Sequence, residues 1–320
     1  MAMNVCVTGG TGFVGRALVS RLLASGAPVR VLARPSPRAD ALEARGAEVV
    51  RGDLADGEAA ARAFAGVDVV YHIAAKVEGP GGKKQYFETN VSGTEHVLKA
   101  CLAAEVKRVV YASSIAVYGP QRAAKSIDEN TPYDDAPDER DYYAQSKIAA
   151  DRLAFDFAPK TGLAITILRP GVVFGPGRPL PIGLLGARFG NMGIVIGSRS
   201  QRIPLNYIEN LIDAMEMAAA EKDRASQQYI VIDDEHLTLG EYHAARDAAE
   251  KTRTLFISPQ PFAWAAKCKL LPRGGAFSRR QVLRAIEDRT YDTSRIRQKT
   301  GWAPKVNLQE AMRRTLAASG

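Results

Sequence analysis

The chain has 320 residues, 46% of them hydrophobic and 24% charged, with a formal net charge of +8. That length holds one large α/β domain with a smaller lobe, or two domains, and the positive balance suits anionic ligands such as phosphorylated cofactors. Three scattered cysteines (Cys6, Cys101, Cys268) and four histidines argue against a disulfide framework and a clustered metal site. No apolar run reaches the length of a bilayer span, and no signal-like segment precedes the first strand. A cytoplasmic protein with reduced thiols is expected, without stable membrane insertion and without a nucleic-acid partner.

The chain opens on a turn shaped for a phosphate. Asn4–Val7 is short, apolar and β-prone, and Arg16–Leu23 has its apolar residues at helical spacing, so the glycines between them lie at a strand-to-helix turn. There Gly9 permits the tight turn, Gly12 lets a pyrophosphate approach the backbone, and Gly15 lets the helix lie close on the strand. Free helix N-terminal amides then face the anion, and a dinucleotide is the expected ligand. Val29–Ala33 is the second strand and ends at Arg34 and Arg38, with no Asp or Glu to hold the adenosine ribose. An arginine in that place suits a 2′-phosphate, so NADP(H) is the expected cofactor and NAD the alternative.

Glu48–Val50 leads to Gly52-Asp53-Leu54, where a carboxylate can meet the adenine amino group. Val67–Ile73 ends in Ala74-Ala75, small residues that let a ligand lie against the backbone. His72 reads as a structural residue at that strand end, and Glu78–Gly82 as a glycine-rich loop near the substrate mouth. One long helix is expected from Tyr86 to Ala104, containing Asn90. Val106–Tyr111 delivers Ser113-Ser114 at a carboxyl strand end, which in an open parallel sheet is the ligand side. A polar loop, Ser126–Asp138, precedes the helix of Tyr143 and Lys147, and Ala164–Leu168 runs into Arg169-Pro170. This alternation predicts a doubly wound, Rossmann-type α/β fold. The dinucleotide-binding domain is placed at 1–177 and a smaller mixed α/β, mostly substrate-binding lobe at 178–320, with returns of the chain to the first domain allowed.

Tyr143 and Lys147 are four apart, which puts both on one helix face. An ammonium beside a phenol favours the phenolate, so the pair can work as an acid/base near neutrality. Ser114 would offer a hydroxyl to the substrate oxygen, and Lys147 would also hold the nicotinamide ribose.

With these motifs in place, the chain resembles the extended short-chain dehydrogenase/reductases, the group of nucleotide-sugar epimerases and dehydratases, 3β-hydroxysteroid dehydrogenases and dihydroflavonol-type reductases. The resemblance rests on Thr8-Gly9-x-x-Gly12-x-x-Gly15, Gly52-Asp53-Leu54, His72–Ala75, Asn90-Val91-x-Gly93-Thr94, Ser113-Ser114, Tyr143-x-x-x-Lys147 and Leu168-Arg169-Pro170. It implies a catalytic set of Ser114, Tyr143 and Lys147. It also implies a cofactor site drawn from Gly9, Thr11, Gly12, Phe13, Val14 and Gly15, then Arg34, Asp53, Leu54, Ala74, Ala75, Asn90 and Ser113, with Tyr143 and Lys147 themselves, and with Pro170 and Val173 beside the nicotinamide. Ile115 and Ala116 stand where dehydratases of the group place an acidic pair, which argues against dehydration.

Two activities remain in competition: net interconversion of a secondary alcohol and a ketone with NADP(H), or epimerisation of a nucleotide sugar with retained cofactor. Tyr207, in Gln201–Ala214, resembles the hydroxysteroid-type members, and Arg34 tilts toward net redox. Arg202 lies one place from where nucleotide-sugar enzymes carry an arginine, and Arg253 is a diphosphate contact in the second lobe or a plain surface charge. Pro259–Leu271 reads as an amphipathic packing helix, with a substrate lid or a membrane-surface segment as the other readings. A homodimer is expected from the resemblance.

Overall fold

The computed structural model describes residues 3–119, 126–178, 186–221, 223, 225–234, 236–268, 270 and 289–318. In chain order it runs β1 (Val5–Thr8), α1 (Phe13–Ala24), β2 (Val29–Ala33), α2 (Pro37–Glu43), β3 (Glu48–Arg51), α3 (Gly57–Phe64), β4 (Val69–His72) and α4 (Lys83–Phe87). There follow α5 (Gly93–Ala103), β5 (Arg108–Ala112), β6 (Ser126–Ile127), α6 (Tyr142–Thr161), β7 (Ile165–Pro170) and β8 (Val172–Phe174). The remainder comprises β9 (Gly186–Phe189), β10 (Met192–Ile196), β11 (Leu205–Tyr207), α7 (Ile208–Ala220), β12 (Gln227–Val231), α8 (Leu239–Glu250), β13 (Arg253–Ile257) and α9 (Gln260–Lys267), then β14 (Thr290–Tyr291) and helices Ser294–Thr300 and Leu308–Ala317.

Seven strands form one parallel sheet in the order β12-β7-β5-β4-β1-β2-β3, the doubly wound arrangement that the alternation predicts. Side chains alternate across it as a period of two requires. Val5, Val7 and Val31 face a core filled by α1, α2 and α7, while Cys6, Leu32 and Val70 face one filled by α3, α5 and α6. With helices on both faces, β1, β4 and β7 are buried along their whole length, which is why they are mostly apolar rather than alternating. β1 has β2 on one side and β4 on the other, so successive crossovers leave β1 in opposite directions. In open parallel sheets ligands bind at the carboxyl ends of the strands at such a point.

The edge strand β12 comes from beyond residue 178 and pairs with β7 from Gln227↔Thr166 to Val231↔Pro170. A three-stranded sheet, β13-β10-β9, and the β8–β11 pair stand apart from the main sheet. Of the apolar segment Pro259–Leu271, residues 260–267 are helical, and Lys269 and Leu271 lie outside the described residues.

The single helix expected over Tyr86–Ala104 is instead broken. α4 ends at Phe87, a π turn spans Glu88–Ser92, and α5 begins at Gly93. The wider turn inserts one extra residue per hydrogen-bonded ring. It coincides with Asn90, whose Oδ1 accepts from the Lys76 N–H at 2.6 Å and whose Nδ2 donates to the Lys76 carbonyl at 3.0 Å.

Candidate active site

Gly9 has φ +74°, and a Cβ there would lie 2.6 Å from the Ala74 backbone nitrogen. Both conformation and space therefore demand glycine. At Gly15 a Cβ would fall 2.2 Å from the Gly9 carbonyl oxygen, so α1 packs directly onto the turn. Gly12 is the N-cap of α1, closes the turn by donating to the Gly9 carbonyl at 3.0 Å, and would meet only that oxygen with a Cβ. No side chain caps α1, and its first turn holds no acid. Its leading amides are thus left for an external anion. A dinucleotide diphosphate fits this cradle, with half-buried Thr11, Phe13 and Val14 around it.

Arg34 stands exposed just past β2, its Nε 3.9 Å from the Asp53 carboxylate, itself exposed. The other Asp53 oxygen accepts from the Ala55 N–H at 3.2 Å. Leu54 is half-buried and lies against Gly93, while Ala74 and Ala75 are half-buried beyond β4.

Thr8, at the end of β1, is tied to this region through His72. The Thr94 hydroxyl donates its one proton to the Asn90 carbonyl at 2.6 Å, so its 2.9 Å bond with His72 Nε2 has the ring N–H as donor. His72 Nδ1 then accepts from Thr8 Oγ1 at 2.7 Å. Burial, reinforced by the nearby Lys147, pulls His72 down to about 3, so the ring is a neutral, fixed connector.

On α6, Tyr143 is half-buried and Lys147 is 2% exposed. The lysine Nζ donates to the Ala112 carbonyl at 2.7 Å and the Tyr111 hydroxyl at 3.3 Å. An ammonium has three protons, so one N–H remains for a further acceptor. Burial pulls Lys147 from 10.5 to about 8, against an opposing pull from Asp151. Ser146 ties the helix to the π turn: it donates to the Tyr143 carbonyl at 2.8 Å and accepts from Asn90 Nδ2 at 2.8 Å.

The adjacent serines part company. Ser113 is buried, and its hydroxyl donates to Asp151. Ser114 caps a short 3-10 turn by accepting from the Ala116 N–H at 3.1 Å, a bond that leaves its own proton to be donated elsewhere. Pro170 ends β7, and Val173 lies on β8 opposite Asn206. Asn206 Oδ1 accepts from the Gly171 N–H at 2.7 Å, and its Nδ2 donates to Asp233 at 3.0 Å. Burial pushes Asp233 up to about 6.

The β1, β4 and β5 strand ends are linked through the Thr8–His72 and Lys147–Ala112 bonds beside the glycine turn, on the sheet of a nicotinamide-dinucleotide enzyme of the extended short-chain dehydrogenase type. The family model for the NAD dependent epimerase/dehydratase family matches residues 5–232, and the chain belongs to that family. It is 30% identical to the 2-alkyl-3-oxoalkanoate reductase of Shewanella oneidensis, over 98% of this chain and 85% of that protein. It is 33% identical to a 3 beta-hydroxysteroid dehydrogenase/Delta 5-->4-isomerase of Mycobacterium tuberculosis, over 75% of this chain and 67% of that one. A solved structure of MoeE5 in complex with UDP-glucuronic acid and NAD superposes with a TM-score of 0.75, covering 99% of this chain and 98% of that one at 25% identity.

Sequence reasoning assigned no role to several residues that build this site, although Arg169 stood in one of its motifs. The buried Tyr111, Tyr118, Asp151 and Arg169, with half-buried Tyr133, form its polar floor. One signal was available: Asp151 follows Lys147 at the same spacing of four that links Lys147 to Tyr143. Arg253 is exposed at the start of β13, and Arg202 bridges to Thr238. Among the described residues no helix is long and apolar enough to cross a membrane, and no group of three or more His, Cys, Asp or Glu could hold a metal ion.

Proposed function

We propose that this protein interconverts a secondary alcohol and a ketone, preferring NADP(H), with Tyr143 as the acid/base. The observation that carries the reading is the buried Lys147 ammonium, held by Tyr111 and Ala112 on the helix face it shares with Tyr143. When bound, the nicotinamide supplies or accepts the hydride. Everything else falls to side chains. Ser114 donates its free proton to the substrate oxygen and orients the carbonyl. Tyr143 delivers a proton to that oxygen as it gains charge, and removes it in the opposite direction. Lys147, positive below about pH 8, favours the phenolate that remains and offers its third N–H to the nicotinamide ribose. The half-buried Ala74 and Ala75, with Pro170 and Val173, wall the nicotinamide end.

Two relatives support net redox by their names, a 2-alkyl-3-oxoalkanoate reductase and a 3 beta-hydroxysteroid dehydrogenase. Arg34 supports the phosphorylated cofactor, since no carboxylate ends β2 and the guanidinium is exposed. Arg34→Ala should raise the KM for NADPH about 10-fold, the loss of one charge-assisted contact, and leave that for NADH nearly unchanged. Equal effects on both cofactors would remove the NADP(H) assignment. A homodimer in the cytoplasm completes the proposal.

A further inference from the structure

Asp151 is fully buried and surrounded by donors. Arg169 Nε reaches Oδ2 at 3.0 Å and Nη2 reaches Oδ1 at 2.6 Å. Tyr133 donates to Oδ1 at 2.7 Å, and Ser113 donates to Oδ2. Arg169 Nη1 in turn donates to the Tyr118 hydroxyl at 2.7 Å. Four donors saturate a carboxylate. Yet a buried ion pair is seldom a net stabiliser, because apolar residues of similar volume often do as well. The position of the partners supplies a reason for it. Ser113 adjoins Ser114, Arg169 adjoins Pro170, and Asp151 lies one helical turn beyond Lys147.

We propose that Asp151 is a positioning residue: through Ser113 and Arg169 it locks the Ser114 and Pro170 strand ends to α6, and it faces Lys147 as the counter-charge of its ammonium. This rests on the reading of Tyr143 and Lys147 as the acid/base pair. The groups around Lys147 are the Tyr111 phenol and Ala112 carbonyl of β5 and His72 of β4, which is neutral, with Tyr143 and Asp151 four residues to either side of it on α6. Asp151 is the charge that opposes the effect of burial on Lys147.

The test is Asp151→Asn, read by the pH profile of kcat for ketone reduction with NADPH and by NMR titration of Lys147 in 13C-lysine-labelled protein. Lys147 is charged below about pH 8 and loses its proton as pH rises through that value. Without the carboxylate it loses that proton earlier, so the alkaline limb of kcat and the NMR midpoint should both move down by about one pH unit. Asp151→Glu should restore both. Because Asp151→Asn leaves Arg169 uncompensated, the double variant Asp151→Asn/Arg169→Met removes both charges; loss of the Arg169 cation works against loss of the carboxylate, so its downward shift should be smaller than that of Asp151→Asn. An NMR midpoint that stays in place in folded Asp151→Asn would overturn the proposal, even if kcat or thermal stability falls. The NMR arm needs no substrate, so inactivity of the wild type toward ketones would count against the proposed reaction and leave this inference to be judged on the titration.

Discussion

Tyr143→Phe is expected to lower kcat for ketone reduction by about 10³-fold, in the range that general acid/base groups contribute, while the Kd for NADPH stays within about twofold. The hydroxyl is the only group removed. Lys147 keeps its bonds to Ala112 and Tyr111, and Ser114 keeps its place at the 3-10 turn. A separation of kcat from cofactor affinity therefore reports the loss of proton transfer. Steady-state kinetics paired with NADPH fluorescence titration measures both quantities. Turnover near the wild-type level would mean that another group moves the proton.

Gly9→Ala is expected to act on stability and on binding together. The residue sits at φ +74°, disfavoured for a side chain, and the added methyl would press into the Ala74 backbone at 2.6 Å and the Ile73 carbonyl carbon at 2.9 Å. Those neighbours are main chain, anchored by the Ile73 N–H bond to the Thr8 carbonyl at 3.2 Å, so they cannot rotate aside. Backbone strain and overpacking of this kind cost about 3 kcal/mol, equivalent to a fall in Tm on the order of 5 °C or more. Cofactor affinity should fall at least about 10-fold as the turn opens. Gly26→Ala is the matched control: its φ of +77° is similar, but a Cβ there would meet nothing within 4 Å. It should therefore cost less in Tm and nothing in cofactor affinity. Equal losses from the two variants would show that close approach to Ala74 has no part in the effect.

How much of this was legible from sequence depends on how local each feature is. The parallel sheet could be read because buried strands such as Val5–Thr8 and Ile165–Pro170 are mostly apolar and separated by helical periodicity. The glycine turn could be read because three residues with one steric property fall between a strand and a helix. Tyr143 and Lys147 could be placed on one face from their spacing alone. The floor beneath them could not, because Ser113, Tyr118, Tyr133, Asp151 and Arg169 meet only after β5, α6, β7 and the 126–138 loop have packed. The π turn at Asn90 escaped because an extra residue in one turn leaves the flanking apolar periodicity almost unchanged. The residues that choose a substrate follow no spacing rule, since the β9–β10–β13 sheet and the β8–β11 pair assemble from distant segments.

The central claim is that Tyr143, Lys147 and Ser114 surround a carbonyl undergoing net reduction. It is tested most directly by following deuterium from NADPH labelled at nicotinamide C4 into a β-oxo acid or 3-oxosteroid. The account predicts stoichiometric label on the new carbinol carbon with wild type and almost none with Tyr143→Phe at equal cofactor occupancy. Interconversion of UDP-sugars without net consumption of NADPH, and without label in any added ketone, would contradict it.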